Sequence, residues 1–238
     1  MSGHSKWSTI KHQKAANDQK RGQLFTKLAK AITIAAKEGG GDLETNFKLR
    51  LTMDRARQAN MPKSNIERAI DKGAGQGGDD GLFEVVYEGF GPGQTAVIVE
   101  AVTDNKNRTS AEIKKMFDKM GGKFGQSGSV AFQFDRKGQI LVEVKGDEEE
   151  QTLKLIDFGA EEVEKAGEFF EVLVQPDRLF ELSKKITKEG FVVKQAELVY
   201  VAKNMLELKD EEKSRALKFL EALDDLDDVQ NVFTNADL

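Results

Sequence analysis

The side chains best suited to chemistry lie in the first 30 residues and are cationic or aromatic. Lysine and arginine can neutralise phosphates, and tryptophan or histidine can stack on unpaired bases. His4 and His12 are the chain's two histidines, and without cysteines or a carboxylate pair nearby they form a poor metal site. Alternatively, Trp7 anchors the segment to neighbouring helices and the histidines are ordinary surface residues. The candidate nucleic-acid-binding residues are Lys6, Trp7, Lys11, His12, Lys14, Lys20, Arg21, Lys27 and Lys30.

Charge is divided unevenly along the chain. Residues 1–80 hold 15 of the 36 Lys and Arg residues and 9 of the 41 Asp and Glu residues, a net charge of +6. Residues 81–238 therefore carry −11, which the overall net charge of −5 conceals. Such asymmetry indicates a basic domain that meets a polyanion, although a lysine-rich stretch is also compatible with ordinary solvated surface.

Other candidate motifs favour structural interpretations, and the sequence predicts no catalytic residue, metal or cofactor. Residues 73–78 match G-x-G-x-x-G, but they follow a helix and precede a strand, so they are interpreted as a linker. Residues 89–93 lack the Lys-Ser/Thr of a P-loop and are interpreted as a turn. The acids of residues 224–228 lack calcium-loop spacing and are interpreted as a solvated helix end.

One alternative places an enzyme active site between the two C-terminal domains. Asp104, Asn105, Asn107 and Arg108 precede a predicted helix, whose N-terminus could receive an anion. The simpler interpretation, which the sequence favours, is a polar turn followed by a helix cap.

The localisation predicted from composition is cytoplasmic. No apolar run approaches the roughly 20 residues that span a bilayer, and the first 20 residues lack the apolar stretch of a secretory signal. The absence of cysteine excludes disulfides and thiolate sites and fits a reducing compartment.

The positions of the candidate residues depend on a helical N-terminal third. Apolar spacing predicts a helix over Arg21–Lys37 whose lysines share one arc, interrupted by Ile34. A second helix is predicted over Asn46–Asn60, and a capping box at Ser64 and Glu67 predicts a third.

Past residue 81 the periodicity changes to alternating strands and helices. A second capping box, Thr109 with Glu112, predicts a helix that ends before Gly121. Three further helices are predicted over Asp147–Phe158, from Pro176 to Gly190 and over Asp210–Leu223. The predicted strands are Leu82–Glu88, Thr95–Val102, Ser129–Phe134, Ile140–Val144, Glu161–Lys165, Phe169–Val174, Glu197–Val201 and Val229–Phe233.

These elements predict an α+β protein of three domains. Residues 1–78 form a basic helical domain, and two two-layer, ferredoxin-like α/β domains follow it. The last helix and strand complete the first α/β unit, so residues 82–134 plus 204–238 form one domain and residues 135–203 are inserted into it. The alternative is two domains in series, which leaves unpaired sheet edges.

Several sequence motifs resemble the YebC/PmpR family, which includes the mitochondrial translational activator of cytochrome oxidase. The most specific is the opening, Gly3-His4-Ser5-Lys6-Trp7 with Ile10-Lys11-His12 and Lys14-Ala15-Ala16. Further matches are Asn60-Met61-Pro62-Lys63, Asn65-Ile66-Glu67-Arg68-Ala69-Ile70, Tyr87-Glu88-Gly89-Phe90-Gly91-Pro92-Gly93, Thr103-Asp104-Asn105-Lys106-Asn107-Arg108-Thr109, Gly128-Ser129-Val130-Ala131-Phe132 and Asp227-Asp228-Val229-Gln230-Asn231-Val232.

The resemblance implies three domains, no catalytic activity and no cofactor. It implies a cytoplasmic, DNA-binding transcriptional regulator, or alternatively a ribosome-associated factor that relieves stalled translation on RNA. The expected partner is therefore nucleic acid and not a membrane, and a protein partner for the acidic α/β domains stays open.

Overall fold

The computed structural model describes residues 18–75 and 81–238. Three helices come first: α1 (Asp18–Gly39), α2 (Phe47–Gln58) and α3 (Lys63–Gly73). Leu28 and Ile32 of α1 pack with Leu49 and Met53 of α2 in one buried cluster, as the helical spacing predicts. The linker predicted after Lys72 is described only as far as residue 75.

The helical domain is held by one buried cap and one close helix contact. The Asn46 side chain accepts the backbone N–H of Leu49 at 2.9 Å and donates to the carbonyls of Ala35 and Gly40 at 2.7 Å each. It therefore caps α2 and joins it to the end of α1. At Gly73, an added Cβ would lie 2.2 Å from the Thr33 carbonyl oxygen, so only glycine lets α3 approach α1 this closely.

The predicted capping box of α3 is wrong. The helix begins at Lys63, its N-cap is Pro62, and no side chain caps it. Ser64 therefore lies inside the first turn, where its hydroxyl cannot occupy the N-cap position.

Residues 81–238 form two four-stranded antiparallel sheets and a short two-stranded parallel one, and with α1–α3 they confirm the predicted α+β architecture. The helices are α4 (Lys106–Lys119), α5 (Glu148–Phe158), α6 (Leu179–Lys188) and α7 (Asp210–Asp224). The strands are β1 (Phe83–Phe90), β2 (Ala96–Thr103), β3 (Lys123–Phe124), β4 (Phe134–Glu143), β5 (Glu162–Ala166), β6 (Phe169–Val174), β7 (Val193–Ala202), β8 (Leu206–Glu207), β9 (Val229–Thr234) and β10 (Ala236–Asp237).

The second large sheet has the order β5-β6-β4-β7, which is the ferredoxin-like order of a split βαβ unit. Helices α5 and α6 share its core through Leu155, Leu179 and Ile186. The first sheet has the order β3-β1-β2-β9 and packs α4 and α7 through Phe117 and Phe219. The first α/β domain is therefore two-layered like the second but differs from it in strand order.

Strand β9 returns to pair with β2 after the whole second sheet has been formed. This chain order supports the proposed insertion of residues 135–203 into a domain made by residues 82–134 and 204–238. The turn between β1 and β2 contains a short 3₁₀ segment over Pro92–Gln94, and Gly93 has a φ of +72° that favours glycine. The turn interpreted from the sequence is thus present, but it begins at Gly91, because Gly89 and Phe90 pair with β2 as the end of β1.

The strand predicted over Ser129–Phe134 is wrong in most of its length. Residues 131–133 form a 3₁₀ turn, and of the predicted range only Phe134 lies in a strand, as the first residue of β4. The buried Glu88 carboxylate accepts the backbone N–H groups of Gly128, Val130 and Ala131 at 2.7, 2.8 and 2.8 Å. These bonds curl the loop around one side chain, so its N–H groups do not join a sheet.

The capping box predicted for α4 is also wrong. Its N-cap is Asn105, whose side chain accepts the Arg108 N–H at 3.1 Å. Thr109 is a buried residue one turn inside the helix. Among residues 18–75 and 81–238, no helix combines the length and hydropathy needed to cross a bilayer.

Candidate nucleic-acid interface

Helix α1 carries the part of the predicted basic surface that the structure describes. Lys6, Trp7, Lys11, His12 and Lys14 lie outside the described residues, and so does the side chain of Lys20. Three predicted residues remain: Arg21, Lys27 and Lys30. Arg21 is exposed and has no ion-pair partner among the residues that the structure describes.

Lys27 and Lys30 point to the chain's own acidic segment. The Lys27 ammonium donates to the backbone carbonyl of Asp224. The Lys30 ammonium lies 2.5 Å from Asp228 Oδ1 and 3.3 Å from the Asp227 carbonyl oxygen. The expectation that these two lysines bind phosphate therefore conflicts with their contacts, which join α1 to the loop after α7. The acidic cluster interpreted as a solvated helix end contains one buried member, Asp228.

Asp228 is the centre of this contact between domains. Its Oδ2 accepts a hydrogen bond from Thr109 Oγ1 at 2.5 Å and one from Arg108 Nη2 at 3.0 Å. Burial raises the pKa of the Asp228 carboxyl, but the hydrogen bonds from Lys30, Thr109 and Arg108 outweigh it and hold the pKa at about 2. The carboxylate is thus permanently charged near neutral pH and offsets the cations around it.

A cleft of about 480 Å³ lies between α1, α3 and the first turn of α4. Its cationic lining residues are Lys30, Arg68, Lys72 and Arg108, and its acidic one is Asp104. Lys30 and Arg108 already contact Asp228, whereas Arg68 is exposed and has no ion-pair partner within residues 18–75 or 81–238. Arg68 and Arg21 are thus the described arginines of this region best placed for an external anion.

Arg68 and the neighbouring Asn65 are site candidates that the sequence reasoning missed. Asn65, Arg68 and Lys72 are spaced by three and four residues and all line the cleft. Ile66 and Ala69 of the same helix are buried. The amphipathic pattern of α3 contains this signal, because residues at such spacing share one helix face.

The N-terminus of α4 is satisfied by its own residues. Asn105 caps it, and the Arg108 guanidinium pairs with Asp104 at 2.8 Å as well as with Asp228. Asn107 is exposed beside them. The polar turn and cap interpretation therefore describes these residues better than an anion-binding active site does.

A second cavity, of about 420 Å³, lies where the helical domain and both α/β domains meet. Three ion pairs border it, and each links two domains: Lys48–Glu84 at 2.6 Å, Arg55–Glu197 at 3.0 Å and Arg136–Glu100 at 2.6 Å. Because every one of these cations has a carboxylate partner, the cavity offers no excess positive charge to a polyanion. Within the described part of the chain, no group of three or more His, Asp or Glu side chains is arranged to hold a metal ion.

Two family models match almost the whole chain. Residues 5–76 match the TACO1/YebC protein N-terminal domain, and residues 82–236 match the TACO1/YebC second and third domain. The chain belongs to the TACO1/YebC family. The resemblance drawn from the sequence motifs is thereby confirmed.

Relatives within the family are similar over their full length. A probable transcriptional regulatory protein of Thermoanaerobacter pseudethanolicus is 47% identical, with 100% of this chain and 98% of the relative covered. One of Syntrophotalea carbinolica is 48% identical, with 100% and 96% covered. The crystal structure of a conserved hypothetical protein from Aquifex aeolicus is 41% identical, with a TM-score of 0.87 over 92% of this chain and 91% of that one. These names support a regulatory role for the family.

Proposed function

We propose that this chain is a non-enzymatic, cytoplasmic, nucleic-acid-binding regulator of gene expression that uses its basic N-terminal domain. The observation that carries the proposal is the division of charge between domains, +6 in residues 1–80 and −11 in residues 81–238. A polyanion is attracted to the first region and repelled by the second, so the charge both binds and orients it. Names of relatives at about 47% identity support the regulatory part.

The binding surface that we propose is narrower than the one predicted from the sequence. It keeps Arg21 and the predicted residues that precede it, and it adds Arg68 from the cleft. Lys27 and Lys30 are assigned to the contact between α1 and the acidic segment instead, because a lysine already held by a carbonyl or carboxylate oxygen of the chain is less available to a phosphate.

Charge reversal tests the proposal directly. The variant Lys11→Glu, Lys14→Glu, Lys20→Glu and Arg21→Glu should lose binding to duplex DNA and structured RNA without unfolding. The matched control reverses four exposed cations of the acidic region: Lys114→Glu, Lys188→Glu, Arg215→Glu and Lys218→Glu. Affinity measured between 50 and 200 mM salt should fall steeply in the wild type and the control. Unchanged affinity in the first variant would refute the proposed surface.

The identity of the nucleic acid separates two versions of the function. DNA at promoters fits a transcriptional regulator, as the relatives are named. Ribosomal or transfer RNA fits a ribosome-associated factor that relieves stalled translation, as the resemblance to a mitochondrial translational activator implies. Cosedimentation with ribosomes, compared with enrichment on promoter DNA from the same lysate, distinguishes them.

A further inference from the structure

Phe132 is the most exposed large hydrophobic side chain of the described residues, with 68% of its surface accessible. It lies in the 3₁₀ turn over Ala131–Gln133, far along the chain from the basic domain. A single exposed apolar side chain needs no explanation by itself. The loop that holds Phe132 has two further properties that together point to a ligand.

The first property is that the loop is rigidly anchored. Glu88 accepts three of its backbone N–H groups, and Val130 and Phe134, on either side of Phe132, are buried in one cluster with Ile98. Burial raises the pKa of Glu88, but these three hydrogen bonds outweigh it and lower the pKa, which keeps the carboxylate charged and accepting. The exposure of Phe132 is therefore a fixed feature of a well-anchored loop, as binding loops on rigid scaffolds commonly are.

The second property is its charge. Residues 119–134 form the longest stretch without Asp or Glu in the acidic region, residues 81–238. Lys119 and Lys123 belong to this stretch, and both are exposed. The stretch that ends in the Phe132 loop thus carries two positive charges and no negative one, in a region of net charge −11, and this local charge complements a polyanion and not a basic protein surface.

The surroundings of Phe132 also distinguish a base from a protein partner. The exposed residues that precede it in the loop are Gln126, Ser127 and Gly128, which are polar or small. The other exposed large hydrophobic residues belong to other elements, for example Leu153 and Ile156 on α5. One exposed aromatic ring in a loop of small polar residues is typical of a stacking platform, whereas protein interfaces have a contiguous apolar core.

We propose that Phe132 stacks on an unpaired nucleobase while Lys123, whose strand β3 pairs with the end of β1 beside Glu88, contacts an adjacent phosphate. The inference rests on the proposed function and adds to it a second contact in the first α/β domain. It also specifies the ligand, because stacking requires a base that is not paired within a duplex. Sequence preference is not expected, since every base has a face on which a ring can stack.

The experiment compares Phe132→Ala and Phe132→Trp with the matched control Leu153→Ala, which removes a side chain of similar exposure, 63%, from the other α/β domain. The probes are a 20-nucleotide oligouridylate and a blunt 20-base-pair RNA duplex. Base stacking is worth about 1–3 kcal/mol, so Phe132→Ala should weaken oligouridylate binding by about 5- to 150-fold. Phe132→Trp should retain binding, and Leu153→Ala should leave it unchanged. Duplex affinity should be the same in all four proteins.

Crosslinking tests the stacking contact directly, because a Phe132 side chain with only a structural role would not crosslink to a base. Ultraviolet irradiation of the wild-type complex with oligouridylate should attach uridine to residue 132 within the tryptic peptide 124–136. The inference would be overturned if the wild type and Phe132→Ala bound oligouridylate with equal affinity. It would also be overturned if Phe132→Ala lost as much affinity for the duplex as for oligouridylate. A protein contact for Phe132 would then be the better interpretation.

The same measurements separate this inference from the proposed function. If N-terminal charge reversal abolishes binding and Phe132→Ala leaves it unchanged, the function stands and the stacking site is refuted. If the wild type binds neither RNA probe nor duplex DNA, both are refuted.

Discussion

At the scale of single residues, Asp228 shows how one carboxylate joins separate elements. Its side chain is 5% exposed and contacts Lys30 of α1 together with Arg108 and Thr109 of α4. Replacing the charge leaves two cations without their common partner, and buried or half-buried charges that lose a partner are destabilising. The contact therefore contributes more to the free energy of unfolding than a surface ion pair would.

We expect Asp228→Asn to lower the free energy of unfolding by about 2 kcal/mol at pH 7. The pKa of this carboxyl is lowered from 3.8 to about 2 on folding, so its contribution is present above about pH 4 and is lost as the pH falls towards 2. Urea unfolding at pH 7, 5, 3 and 2 measures this difference. The exposed neighbour Asp227→Asn is the control. A difference between wild type and Asp228→Asn that does not shrink below pH 4 would contradict the assignment.

At the scale of elements, strand pairing creates a buried carboxyl on the second sheet. The register places Glu171 of β6 opposite Glu164 of β5, and Gln139 of β4 donates to Glu171 Oε1. Glu171 Oε2 is buried and has no hydrogen-bond partner in the described structure. Burial, with smaller effects from Glu164 and Glu162, raises the pKa of Glu171 to about 7 despite the bond from Gln139.

We expect Glu171→Gln to stabilise the protein at pH 8.5 by up to about 3 kcal/mol and to leave it unchanged at pH 4.5. The folded state keeps a proton that the unfolded state releases, so wild-type stability falls as the pH rises from about 4.5 through 7. The variant cannot ionise and should lack this fall. Urea midpoints at four pH values test it, with the exposed Glu168→Gln as the control. Parallel pH profiles for wild type and Glu171→Gln would show that the carboxyl ionises normally.

At the scale of the whole molecule, a small apolar contact and several ion pairs fix the helical domain. Ile34 of α1 is buried with Leu82 and Val102 at the first α/β domain. The residue that interrupts the predicted basic face of α1 is thus the residue that docks the helix. Lys48–Glu84 and Arg55–Glu197 connect α2 to both α/β domains at the central cavity.

We expect Ile34→Asp to separate the helical domain from the rest without unfolding either part, because it buries an unpaired charge in the contact. Small-angle scattering should give a radius of gyration clearly above the about 18 Å expected for a compact chain of this length. Gln23→Asp introduces the same residue at an exposed position of α1 and should leave the radius unchanged. A compact Ile34→Asp variant would show that the ion pairs, together with the packing of Phe47 and Leu51 on the second sheet, hold the domain without this contact.

The sequence determined the helices, most strands and the ferredoxin-like second domain, because periodic burial along one element is a local property. In the helix predicted over Asn46–Asn60, Leu49, Met53 and Ala56 recur at helical spacing, and all three are buried on α2. Local patterns did not predict the loop around Glu88. There the Glu88 side chain of β1 accepts hydrogen bonds from N–H groups that would pair with a neighbouring strand in a sheet. They were also insufficient at Ser64 and Thr109, because a capping motif does not specify where its helix begins.

The division of charge was likewise evident from the sequence, since it depends only on composition. Which lysines face outward was decided by the tertiary structure. Lys30 and Asp228 are 198 residues apart, and they meet only because the chain returns to the first sheet through β9. A helical wheel places Lys20, Lys27 and Lys30 on one arc, but their partners depend on the path of the whole chain, which no local spacing contains.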